Sequence, residues 1–329
     1  MTQVRILCAT TYAHARRAWA RCLARCLGAD ADHLWHGVDL IVPGQSWEAT
    51  LTRRLGPWRV VLALGQLMLA TVLIATTWWW LPSLASAAGA WWPIYALGAG
   101  WLMHGAFILV AHDAAHGNLF GPGVDRWVGA VATGALLLPF AAGTYVDLHR
   151  THHARANGAG DNNWTPLRDR LYRRSRLLYV AYELLPVISN VDRIGASSCK
   201  DRAAAGVAWA TAAGIGWWAA PGWAWYAVAL SGLTIANAAR LWVEHMGEDE
   251  SATQASTPAV ANTYGGCVFG FGIGHHDLHH RAPWIPAPIL TIGLWLRPHQ
   301  AHVATGWWRL LTCPGWRHFS TRAAPGASS

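Results

Sequence analysis

From residue 60 to residue 111 the chain carries no Asp, Glu, Lys or Arg. A helix needs about 20 apolar residues to cross the roughly 30 Å hydrocarbon layer of a bilayer, so this run holds two such helices, with a turn at residues 81–93. A second charge-free run, residues 203–239, fits two shorter spans near the lower limit of about 17 residues, turning at 219–223. The pattern predicts an all-α integral membrane protein with four transmembrane helices in two hairpins.

Tryptophan marks the ends of these spans. Nine of the 23 Trp gather at 78–80, 91–92, 217–218 and 307–308, as indole rings do at a membrane–water boundary. Arg53, Arg54, Arg59, the arginines of 168–176, Arg193, Lys200, Arg202 and Arg240 fall away from the two outer turns, a positive-inside distribution. It predicts that the N-terminus, the central loop and the C-terminal third share the cytoplasmic face of, by expectation, a bacterial inner membrane. The +8 formal charge thus reads as membrane-side charge. The arginines lie between apolar spans without a basic stripe carrying reading aromatics, and a nucleic-acid partner is not expected.

The first 28 residues have no uninterrupted apolar core, so no cleavable signal peptide is expected; residues 13–27 suit a basic amphipathic helix on the membrane surface. The division expected is a cytoplasmic segment 1–58, a membrane domain 59–311 and a polar tail 312–329. Residues 127–146 are charge-free and long enough to span, but Pro139 and several Gly interrupt them, and the reading is an interfacial or re-entrant helix. Residues 177–191 and 282–296, broken by Glu183 or by prolines, read as surface-lying segments. The six cysteines show no C-x-x-C and imply neither a thiolate metal site nor a disulfide framework.

Histidine then appears in three sets: His112 and His116 in HDAAH, His149, His152 and His153 in HRTHH, and His276, His279 and His280 in HDLHH, with His275 just before the last. Spacings of three and four put each set on one helix face, and the predicted topology brings all three to one cytoplasmic cap. A single histidine at a span end is ordinarily a satisfied interfacial residue. Eight in three matched sets exceed what one tetrahedral or octahedral ion can use, so two metal ions are implied, and imidazole ligation without thiolate suits iron. Asp113, Asp147, Asp161, Glu244 and Asp277 lie beside these sets, where a carboxylate is either solvated charge or a partner for a ligand's second N–H. Asp161 and Glu244 are the favoured supports, with Asp113, Asp277 and His275 as further candidates. His104, inside the second span, is expected to bond a neighbour.

The three sets resemble the histidine boxes H-x3-4-H, H-x2-H-H and H/Q-x2-H-H of the membrane fatty acid desaturase superfamily. Residues 282–286 continue the third box in a form similar to the family's H-H-x-x-P-x-x-P, and RLWVEH at 240–245 is similar to its R-x3-E-H. The resemblance covers about residues 102–286. It implies His245 as a ninth ligand, two iron ions cycling between Fe2+ and Fe3+, and O2 as co-substrate. A lipid or acyl substrate would come from the bilayer, and electrons from a separate ferredoxin, rubredoxin or cytochrome with its reductase. The activity implied is an O2-dependent desaturase, a membrane diiron oxidoreductase. A carotenoid ketolase or lipid hydroxylase of the same superfamily stays open, because the first box also reads HDA-x-HG. Asn162, where the family often has proline, and residues 270–274, without the asparagines often found there, leave the substrate subgroup open. A histidine-rich metal transporter is disfavoured, since transporters place ligands near mid-membrane on broken helices.

Overall fold

The computed structural model describes residues 46–136, 142–155, 161, 166–183, 223–245 and 276–296, the paired residues 260–261 and 301–302, and isolated residues 18, 21–22, 138, 185, 199, 203 and 210. Among them the chain is helical, apart from a two-residue parallel pairing of β1 (Val260–Ala261) with β2 (Ala301–His302). Two helices are long and apolar enough to cross a membrane, Trp58–Ala87 and Gly89–Ala115. The expected turn is a single sharp one: Gly89, at φ 57°, takes the left-handed conformation that ends a helix without a Cβ penalty.

The first span comprises α1 (Ser46–Ala75), a π-helical turn (Thr76–Trp80) and α2 (Leu81–Ala87). The second comprises a short 3-10 turn (Gly89–Trp91), α3 (Trp92–Ala106), a π-helical turn (Phe107–His112) and α4 (Asp113–Ala115). Only 22% of the first span's most apolar window is buried, against 67% for the second. Val61, Leu64, Met68 and Val72 form an exposed apolar face on the first span, bounded by exposed Trp58 at one end and Trp79 and Trp80 at the other. The separation is about 30 Å at 1.5 Å per residue, matching the hydrocarbon layer.

Three polar contacts set the spans antiparallel. Arg59 donates to the carbonyls of Asn118 and Gly117, Gln66 Nε2 to Leu109 O (2.9 Å), and Thr77 Oγ1 to Ala99 O (3.4 Å). Helix α9 (Trp223–His245) crosses α3 at backbone contact, because Gly100 lies on the Ala229 carbonyl and Gly232 on the Leu97 carbonyl, where any Cβ would collide. Such small-residue crossings let van der Waals packing hold helices together where lipid removes the hydrophobic drive. Residues 203–222, which carry the other half of the second predicted hairpin, lie outside the described residues apart from Ala203 and Ala210, as do residues 13–27 apart from 18 and 21–22.

Two helices, at residues 122–135 and 142–155, run in opposite directions beside the second span. Helix α5 (Pro122–Ala135) starts at the Arg59 end, where Asp125 accepts the N–H groups of Leu119 (2.9 Å) and Phe120 (2.7 Å). It runs back along the second span, Gly129 against Ala114, and ends where Trp78 Nε1 donates to Ala135 O (3.1 Å). Helix α6 (Ala142–Arg155) returns, with Tyr145 edge-on to Phe107 and His149 beside His112. Fourteen residues reach about 21 Å, so each leg is shorter than the hydrocarbon layer. Neither described leg of segment 127–146 is long enough to span, in keeping with the interfacial or re-entrant expectation.

One expectation is corrected. Residues 282–296 are not surface-lying: Ile285, Ile289 and Leu290 are fully buried, and helix α11 (Ala287–Leu296) begins inside the molecule. The prolines that suggested a surface segment leave free backbone groups, and buried side chains satisfy them: Asn118 Nδ2 donates to Pro283 O (2.8 Å) and Asp113 Oδ2 accepts from Ala287 N (2.9 Å). Of residues 177–191, those at 184 and 186–191 lie outside the described residues, and the expectation is corrected in part for the rest. Leu177 and Leu178 are exposed on α8 (Arg176–Glu183), but Glu183 is buried and pairs with Arg168 of α7 (Pro166–Arg174) at 2.6 Å. Arg168, read from sequence as one of the cytoplasmic-side charges, is only 1% exposed; burial is tolerable because the pair satisfies both charges.

Candidate metal centre

The three histidine sets converge. His112 closes the π-helical turn, His116 follows α4 in a tight turn whose N–H bonds Asp113 O (3.1 Å), His149, His152 and His153 line one face of α6, and His276, His279 and His280 line α10 (His276–Arg281). Their nitrogens form two groups, His112, His116, His149 and His279 in one and His152, His276 and His280 in the other, each with its ligand atoms within 4.8 Å of one another. His153 joins them: its ring centroid is 4.6 Å from His149, 4.7 Å from His116 and His279, and 4.2 Å from His280, on which it stacks.

The spacing fits metal ligation. His116 Nε2 lies 2.8 Å and His153 Nε2 3.1 Å from His149 Nε2, and His112 Nε2 lies 3.1 Å from His279 Nε2. Two nitrogens at right angles on an ion, each at about 2.1 Å, would stand about 3.0 Å apart. Hydrogen bonding alone cannot serve His149 as well, since one Nε2 facing two others carries at most one proton.

Electrostatics agrees. Burial, with a smaller push from the Arg150 charge, lowers His116 from the ordinary 6.5 to about 4, and burial with its histidine neighbours lowers His153 to about 2. His149 and His279 are also held well below the ordinary value, chiefly by desolvation and then by neighbouring imidazoles. All four are neutral near pH 7, the form a metal requires. His152 Nδ1 meets Asp161 Oδ1 at 2.9 Å, with both groups buried; the carboxylate accepts a hydrogen bond from Nδ1–H and leaves Nε2 for an ion. The donor set is all imidazole nitrogen, and the residues fit a two-metal site.

Of the residues expected from sequence, His112, His116, His149, His152, His153, His276, His279 and His280 come together, and Asp161 stands behind His152. Asp113 points elsewhere: its Oδ2 accepts from Gln66 Nε2 (2.7 Å) and Ala287 N, while Oδ1 stays 3.6 Å from His112 Nδ1. His104 is buried in the second span. His245 is the last residue of α9 and Glu244 precedes it, and Asp277 lies on α10; their side chains, and His275 altogether, lie outside the described residues, as does the side chain of Asp147. Sequence reasoning missed three neighbours. Tyr145 stacks on His149 at 5.2 Å, and the signal was its place one turn before the second box. Asn118 holds the chain after the third box. Gln66 was visible as the lone side-chain amide in residues 60–111.

No curated protein and no solved structure gave a match to the chain. The family model described as fatty acid desaturase matches residues 87–292, which run from the end of the first span through all three histidine sets and most of α11. The chain belongs to the fatty acid desaturase family.

Proposed function

We propose that the protein is an O2-dependent diiron oxidoreductase that desaturates the acyl chain of a lipid or fatty acyl substrate at the membrane. The observation that carries this reading is the convergence of eight imidazoles, seven buried and His116 half-buried, from three separate segments at one end of two apolar helices.

His112, His116, His149 and His279 would hold one ion and His152, His276 and His280 the other, with His153 between them and His245, by the family pattern, completing the set. When bound, two irons supply the reductive activation of O2 that attack on an unactivated C–H bond needs. Asp161 fixes the ring of His152 by holding its Nδ1 proton. Phe107, Ile108, Val110, Leu119 and Ile285, all buried, keep bulk water from the imidazole layer, which protects reactive chemistry from leakage. Removal of two hydrogens from adjacent CH2 groups consumes one O2, two electrons and two protons and releases two waters. The electrons come from a separate donor protein on the cytoplasmic face, and the chain's part is to keep the centre between that face and the bilayer.

The test is expression in a bacterial host fed defined saturated fatty acids, with mass spectrometry of total lipids beside a His279→Ala control. Products lighter by two hydrogens, absent from the control, are expected. Products carrying an added oxygen would move the reading to hydroxylation or ketolation, and unchanged lipids from iron-loaded, reductant-supplied protein would contradict oxidation of acyl chains.

A further inference from the structure

Gln66 lies on the first span, 46 positions before the first histidine of the centre, and belongs to no histidine box. It is 3% exposed, in the middle of an otherwise apolar surface. A buried amide in an apolar helix is costly unless its hydrogen bonds are made, and this one donates twice, to Leu109 O at 2.9 Å and to Asp113 Oδ2 at 2.7 Å.

Both acceptors matter to the centre. Leu109 lies inside the π-helical turn Phe107–His112. A π turn inserts one residue into the helix and leaves a carbonyl without its regular i+4 N–H partner. In an α-helical register Leu109 O would take the Asp113 N–H; that N–H goes instead to Val110 O, and the Gln66 amide donates to Leu109 O. The inserted residue rotates everything after it by about 100°, so the turn decides which way His112 faces. Asp113 Oδ2, the second acceptor, also takes the Ala287 N–H of the segment following the third box. One amide thus ties the first box's helical register to the chain that carries His279, whose Nε2 stands 3.1 Å from that of His112.

We infer that Gln66 is a positioning residue of the metal centre: it holds the π-helical turn that aims His112 and, through Asp113, the register of the third histidine box against the first. This rests on the metal-centre reading above but not on the reaction. An apolar residue of the same size would leave the Leu109 carbonyl and the Asp113 carboxylate each one donor short in a dry environment.

The test compares full-length wild type with Gln66→Met, similar in volume but without the donors, and with Thr77→Val, which removes a buried polar contact between the same two spans far from the centre. Cobalt(II) is titrated into metal-free detergent-solubilised protein, its visible absorption reporting affinity and ligand geometry, and the melting temperature of each metal-free protein is recorded. Gln66→Met is expected to bind cobalt about 10–100-fold more weakly, the range for residues that orient ligands, with an altered spectrum, while Thr77→Val keeps the wild-type affinity and spectrum. If Gln66→Met matches wild type in both, or if Thr77→Val loses affinity and melting temperature to the same degree, the role is structural and the inference falls. Wild type that binds no cobalt would overturn the centre and this inference together; cobalt binding without lipid oxidation would leave the inference standing and remove only the proposed reaction.

Discussion

At the residue scale the centre depends on keeping imidazoles neutral and aimed. Asp161 is the clearest lever, since its carboxylate meets His152 Nδ1 at 2.9 Å, an arrangement that leaves Nε2 free to face an ion. Asp161→Asn removes the charge but keeps the shape, and is expected to weaken metal binding or activity by about 10–100-fold with folding preserved, measured by metal titration beside the melting curve. The pH dependence follows from burial. His116 and His153 titrate near 4 and 2 in the folded chain against 6.5 for the exposed group, so as pH falls below 6.5 the unfolded state takes up protons that the folded state refuses. The metal-free protein is therefore expected to lose stability steadily between pH 6.5 and about 4, and to change little with pH above 7. Melting temperatures across that range check it, and a flat profile would mean that the histidines are solvated. The convergence of the eight box histidines was legible from residue type and spacing, because three sets of imidazoles at helical intervals have few other uses. Gln66 stood out as the lone amide of an apolar run, but its partners and those of Asn118 could not be read, because they lie far away in sequence: the Leu109 carbonyl and Asp113 carboxylate for Gln66, the Pro283 carbonyl for Asn118.

At the element scale the informative unit is the hairpin α5–α6. Hydropathy alone makes residues 127–146 a span; the break after Ala135 and the Trp78 bond to its carbonyl make it a leg that returns. The break could be read from Pro139 and the glycines, whereas the return could not, because it is set by contacts with the second span, Gly129 on Ala114 and Tyr145 on Phe107. The same limit explains the error over residues 282–296. Prolines in an apolar stretch suggest exposure only when no buried partner exists for the backbone, and Asp113 and Asn118 supply those partners. A returning hairpin has a measurable consequence: cysteines placed at Gly123 and at Arg170 should react with an impermeant thiol reagent from one side of the membrane, and a cysteine at Ser86 from the other. Opposite-side labelling of Gly123 and Arg170 would contradict the hairpin.

At the scale of the whole molecule, the two apolar helices fix a platform whose Arg59 end carries the histidines and whose Trp79–Trp80 end does not. Gly100 and Gly232 draw α9 onto that platform at backbone contact, and α9 ends at His245, the residue that the family pattern adds to the eight. An exposed apolar first span and a buried second span leave the histidines of the centre largely shielded from solvent at one end of the platform. The central claim is that this layer is a two-metal centre, and metal content tests it most directly. Protein purified in detergent from iron-supplemented cells and assayed by elemental analysis is predicted to carry about two irons per chain, because eight or nine imidazoles overfill a single site, and His279→Ala is predicted to carry fewer. One tightly held zinc with no iron, or an iron content unchanged by His279→Ala, would contradict it.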